Sequence, residues 1–175
     1  MNTSRKPSTA PQTLEEFMAQ ALLMEREAAQ RYSDLADAME THNNRDVAKM
    51  FRTMAGYEAK HAQAIMDEMK WTEAPALPAG SWRALEPPEN VPNDEVHYLM
   101  HPWHALQLAL AAEERARDFF DHLAQMATSD SIRRAALELR DEEVEHVSLV
   151  RAWLDKVPKP AADWAADPDP PRYID

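Results

Sequence analysis

Apolar residues recur at spacings of three and four in four stretches of this chain, the period of a helix that buries one stripe. The first stripe reads Leu14, Met18, Ala21, Glu25, Ala28, Tyr32, Leu35 and Met39, and the second Phe51, Met54, Glu58, His61 and Ile65. The third runs through Leu106, Ala109, Glu113, Ala116, Phe120, Leu123 and Ala127, and the fourth through Ile132, Ala136, Leu139, Glu143, His146, Val150 and Trp153. Proline, which breaks a helix interior, is absent from residues 12–74 and 103–157. Each window is long enough for a helical hairpin, and each has a polar break, at Thr41-His42-Asn43-Asn44 and at Thr128-Ser129-Asp130-Ser131. The pattern predicts helices at about 13–40, 44–69, 102–127 and 130–155, with Thr13 and Glu16 as a capping box and Pro102 in a first turn.

This divides the chain into a polar arm at 1–12, a helical domain at 13–155 with a Pro-rich linker at about 70–101, and a Pro-rich tail at 156–175. From Pro158 the tail is too polar for a core of its own and is expected to be loose or to lie on a partner. Adjacent antiparallel helices need a connection of only about 2–8 residues, so a linker of this length must travel. A 25-residue helix is about 38 Å long, a span the linker can cover. The expected fold is therefore all-α, a four-helix bundle in which one long crossover makes helices two and three parallel. Trp71, Leu77, Trp82 and Leu85 punctuate the linker and are expected to cover the bundle or a second subunit, which favours a homodimer.

Composition agrees and narrows the chemistry. Thirty alanines and 17 glutamates against 7 valines and 3 isoleucines favour helix over sheet. A net charge of −12 argues against nucleic acid or an anionic membrane and suits a cationic partner such as a metal ion. There is no cysteine, which excludes disulfides, thiolate metal sites and cysteine nucleophiles within the chain. The start lacks an apolar signal core and no stretch approaches the roughly 18 apolar residues of a membrane span, so a cytoplasmic location is expected.

Every stripe carries one glutamate near its centre, and two carry a histidine three residues later, on the same helical face. A shift of 88 superposes Ala21, Glu25, Ala28, Leu35 and Ala36 on Ala109, Glu113, Ala116, Leu123 and Ala124, and a shift of 85 superposes Glu58 and His61 on Glu143 and His146. Four carboxylates converging in a core would cost several kcal/mol per ion unless neutralised. The stripes hold no lysine or arginine, which leaves protons or cations. Two divalent ions would balance Glu25, Glu58, Glu113 and Glu143, with His61 and His146 completing the ligand set of a di-metal carboxylate bundle. Carboxylate-rich sites with two histidines suit redox iron, and manganese and zinc fit the same ligands.

Glu25-Arg-Glu-Ala-Ala-Gln-Arg-Tyr32, Glu58-Ala-Lys-His61, Glu113-Glu-Arg-Ala-Arg-Asp-Phe-Phe120 and Glu143-Val-Glu-His146 resemble the motifs of the rubrerythrin-like branch of the ferritin-like superfamily, over about residues 13–155. That resemblance implies a ferritin-like bundle. It makes Glu25, Glu58, His61, Glu113, Glu143 and His146 the metal ligands, with Glu58 and Glu143 bridging. It further implies oxidation of ferrous iron, reduction of oxygen or peroxide, or iron storage. Full rubrerythrins add a cysteine-ligated rubredoxin domain and a further glutamate one turn along the third helix, where this chain has Ala116. An external electron-donor protein is therefore an expected partner. The rivals are an iron-storage or iron-handling component without catalytic turnover and a non-enzymatic helical interaction bundle.

Other polar residues read as structural. His97, His101 and His104 have ligand-like spacing, but Pro102 places a helix start among them. Tyr32 and Phe120 read as core, with a secondary role for the Tyr32 hydroxyl beside a ligand, and Met18, Met39, Met50, Met54, Met66 and Met69 as gap-filling core. Glu27, Glu114, Glu142 and Glu145 fall 100° or 200° from the ligand direction and are expected to face away from the site.

Overall fold

A computed structural model describes residues 11–77 and 96–166. The described residues form four helices and no strand: α1 (Leu14–Thr41), α2 (Arg45–Glu68), α3 (Pro102–Met126) and α4 (Asp130–Leu154). Each boundary lies within a residue or so of its expected place, because each is set by local chemistry. Thr13 Oγ1 accepts from the Glu16 amide at 3.0 Å and Ser129 Oγ from the Ile132 amide at 3.3 Å, satisfying N–H groups that the first turn leaves orphaned. The return arm of the predicted capping box is displaced by one residue. Glu16 Oε2 accepts from the Gln12 amide at 2.9 Å rather than from Thr13.

Two apolar clusters fix the topology. The start of α1 (Phe17, Met18, Leu22) packs with the end of α2 (Ile65, Met66), the end of α3 (Phe120, Ala124) and the start of α4 (Ile132, Leu139). At the other end Tyr32, Leu35 and Met39 of α1 meet Val47, Phe51 and Met54 of α2, Ala105 and Leu106 of α3, and Val150 of α4. Thus α1 and α4 run one way and α2 and α3 the other, the parallel pair that the long linker predicted. Close packing is within the α1–α2 and α3–α4 hairpins. Phe17 and Phe120 meet edge to face across the hairpins, with centroids 6.4 Å apart.

The crossover is anchored where it leaves and where it arrives. Asn44 caps α2 with its side-chain oxygen, and its Nδ2 donates to the Met100 carbonyl at 2.7 Å. Asn44 is therefore a cap, one residue before the helix, and Met100 is buried beneath it. Trp71 packs on the first cluster, as one alternative for the linker aromatics expected. Trp82 and Leu85 lie outside the described residues. The tail behaves differently from expectation as far as Ala166: Trp164 packs on the chain's own second cluster, its ring 3.8 Å from that of His104. An indole can bury a large apolar area by itself, even in a polar segment.

Helices α1 and α2 both end in a Schellman motif, with Asn43 (φ 59°) and Lys70 (φ 55°) in the left-handed region. Asparagine tolerates that conformation, whereas a lysine Cβ is strained by about 1 kcal/mol. We expect Lys70→Gly to stabilise the protein by up to about 1 kcal/mol, read as a higher urea midpoint at unchanged slope. An unchanged or lower midpoint would mean that the Lys70 stem contributes packing that outweighs the strain.

Candidate metal centre

Between the two apolar clusters lies a polar band. Glu25, Glu58, Glu113 and Glu143, one from each helix, are at most 1% exposed. Each sits on its buried stripe because it follows apolar neighbours at spacings of three and four, so the packing that builds the core also carries the carboxylates inward. His146 is buried beside them and His61 lies at the edge, its side chain 17% exposed. No lysine or arginine is buried among the described residues. Gln20 on α1 is buried too, a polar core residue the stripe reading did not single out.

The structure brings all six predicted residues together in three overlapping groups: Glu25, His61 and Glu143; Glu113, Glu143 and His146; Glu58, His61 and His146. Within each group one donor atom per residue lies within 4.8 Å of the others, close enough to share an ion. Glu143 belongs to the group of Glu25 and to that of Glu113, while Glu58 joins both histidines, so these two carboxylates are central to the arrangement. The imidazoles of His61 and His146 stack nearly parallel, with centroids 4.5 Å apart.

The two halves differ in how they are held. Tyr32 donates from its hydroxyl to Glu113 Oε1 at 3.0 Å, and His146 Nδ1 lies 3.2 Å from Glu113 Oε2. At the matching place in the other half, Phe120 has no hydroxyl to offer Glu25. Neither oxygen of Glu25 makes a hydrogen bond, nor does Nδ1 of His61, which stands 3.7 Å from Glu25 Oε2. Burial opposes a charge on His61, but Glu25 foremost, then Glu142 and Glu113, outweigh it and raise the imidazole pKa above its ordinary value. Buried groups without hydrogen bonds are costly, and they fit a ligand better than a finished core.

Three of the four outward glutamates behave as expected. Glu27 and Glu145 are exposed, and Glu114 pairs with Arg151 at 2.5 Å. Glu142 does not: its Oε2 reaches within 3.7 Å of His61 Nδ1. The helical wheel misplaced it because a glutamate at the stripe's margin can still reach across to a neighbouring helix. Partial burial raises its pKa, with Glu25 adding to the rise and His61 opposing it. Ala116 is fully buried one turn after Glu113 and offers no ligand atom. His97 and His104 each accept a backbone N–H through Nδ1, from Leu99 and His101, and no metal-like group among the described residues includes them. No helix among the described residues is long and apolar enough to cross a membrane.

The profile of the family described as Rubrerythrin matches residues 16–154. A solved structure of an uncharacterised conserved protein from Magnetospirillum magnetotacticum is 38% identical, with a TM-score of 0.63, over 85% of this chain and 98% of that one. A hypothetical protein from Pyrococcus furiosus aligns at 23% identity with a TM-score of 0.42, over 82% of this chain and 89% of that one. No curated protein matches.

Proposed function

The chain belongs to the rubrerythrin family, and from that premise we propose that it is a di-iron carboxylate protein that oxidises ferrous iron and reduces oxygen or peroxide. The observation that carries this reading is the gathering of four carboxylates and two imidazoles from four helices in an interior that is apolar elsewhere apart from Gln20 among the described residues. Two divalent ions match the four carboxylate charges, and the non-hydrogen-bonded Glu25 oxygens and His61 Nδ1 are the kind of donor atoms such ions require. Glu25 with His61 would hold one ion and Glu113 with His146 the other, and Glu58, grouped with both histidines, and Glu143, grouped with both Glu25 and Glu113, would be shared between them. When bound, the pair of ions supplies two electrons, enough with two protons to turn one peroxide into two waters.

The protein's own part is organisation. Apolar clusters flank the band at both ends, so the four buried carboxylates interact at a lower dielectric than in water, with His61 at the one edge that meets solvent. The Tyr32 hydroxyl fixes the orientation of Glu113 and can hold or release a proton there. Electrons would return from a donor outside these 175 residues, which contain no cysteine to hold a second iron centre.

Protein purified without chelator should show two anomalous peaks per chain at the six residues, strongest across the iron edge. Glu58→Ala or Glu143→Ala should lower both metal content and thermal stability, because each serves both ions. Parental metal loading in these two variants would remove the assignment.

A further inference from the structure

The internal repeat places Glu142 of α4 and Tyr57 of α2 in equivalent positions, each one residue before a Glu-x-x-His motif. The two do different things. Tyr57 lays its ring beside His146, with centroids 5.5 Å apart, and against Trp153 at 6.3 Å, so an aromatic wall covers that half of the band. Glu142 sets a carboxylate against His61 and keeps 46% of its side chain exposed. His61 Nδ1 stands 3.7 Å from Glu142 Oε2 and 3.7 Å from Glu25 Oε2. Glu25 is fully buried and neither of its oxygens makes a hydrogen bond. The half with a carboxylate at its mouth is thus also the half with uncommitted donors inside, whereas Glu113 is already tied to Tyr32.

We propose that Glu142 is the loading carboxylate of this site: it takes a divalent cation from solvent and passes it, past His61, to Glu25. The inference rests on the di-metal reading above. It assigns Glu142 a positioning role, outside the resident ligand set. Metal reaches the Glu25–His61 half first, and the Tyr57-covered half fills from within. A carboxylate that is half in solvent can meet a hydrated cation and replace part of its water shell before the buried donors complete the exchange. Focused charge of this kind raises association rates roughly 10- to 1,000-fold.

The test is stopped-flow absorbance of Co²⁺ binding to the full chain after metal removal, with helical content checked by circular dichroism. Glu142→Gln should slow association about tenfold, the low end of that range, while the final stoichiometry stays at the parental two ions. Glu145→Gln removes the same charge from an exposed site on the same helix and should bind at the parental rate. Glu142→Asp should recover part of the loss. Equal rates in Glu142→Gln and parent overturn the proposal, as does equal slowing by Glu145→Gln, which would mean bulk charge alone. A lower final stoichiometry in Glu142→Gln would make Glu142 a resident ligand and overturn the loading role. Failure of the parent to bind Co²⁺ would instead strike the di-metal reading itself.

Discussion

Stripped of metal, Glu25→Leu should be more stable than the parent by about 1–3 kcal/mol, the penalty carried by a buried polar group whose hydrogen bonds are unmade. Glu25 is fully buried, neither of its oxygens makes a hydrogen bond, and its neighbour His61 can shed a proton once the carboxylate is gone. For a chain of this length that corresponds to a rise of roughly 2–4 °C in Tm per kcal/mol. Adding Fe²⁺ or Mn²⁺ should reverse the order. An ion at 1,000 times its Kd stabilises the native state by about 4 kcal/mol, a gain the leucine variant forfeits in large part with the lost ligand. Melts with EDTA and with metal check both halves. A leucine variant less stable than the parent in EDTA would mean that Glu25 makes a structural contribution of its own. A variant that gains as much from metal as the parent would take Glu25 out of the ligand set.

Bound ferrous iron should be oxidised quickly once by oxygen or peroxide and then cycle slowly. Four carboxylates would stabilise the more positive oxidised ions over the reduced ones, which favours the first step. Returning electrons is harder, because the band is buried between two apolar clusters and these 175 residues contain no cysteine-held iron centre. Stopped-flow absorbance of ferric iron should show one burst, with later cycles only when a reductant protein or fresh ferrous iron is supplied. Sustained turnover with NADH alone would defeat the missing-donor argument. Absence of any burst would demote the site to a structural metal centre or the protein to a partner-binding bundle.

The helices and the six candidate residues were legible in the sequence because the signals for both are local. Proline-free windows, caps such as Thr13 and Ser129, and the three- and four-residue spacing of Glu58 with His61 or Glu143 with His146 lie within a turn or two of one helix. Even the parallel arrangement of α2 and α3 followed from the length of one linker. What only the tertiary structure decided are contacts between residues far apart in the chain. Tyr32 and Glu113 are 81 residues apart, so no period within one helix could show that a hydroxyl supports one half of the site while Phe120 leaves the other half without one. Trp164 finds His104 in the same way. Glu142 makes the point most sharply: its angle on the helical wheel says outward, yet its carboxylate ends beside His61. A wheel records the direction of a Cβ, but the spacing between two helices and the length of a side chain determine where the charge comes to rest.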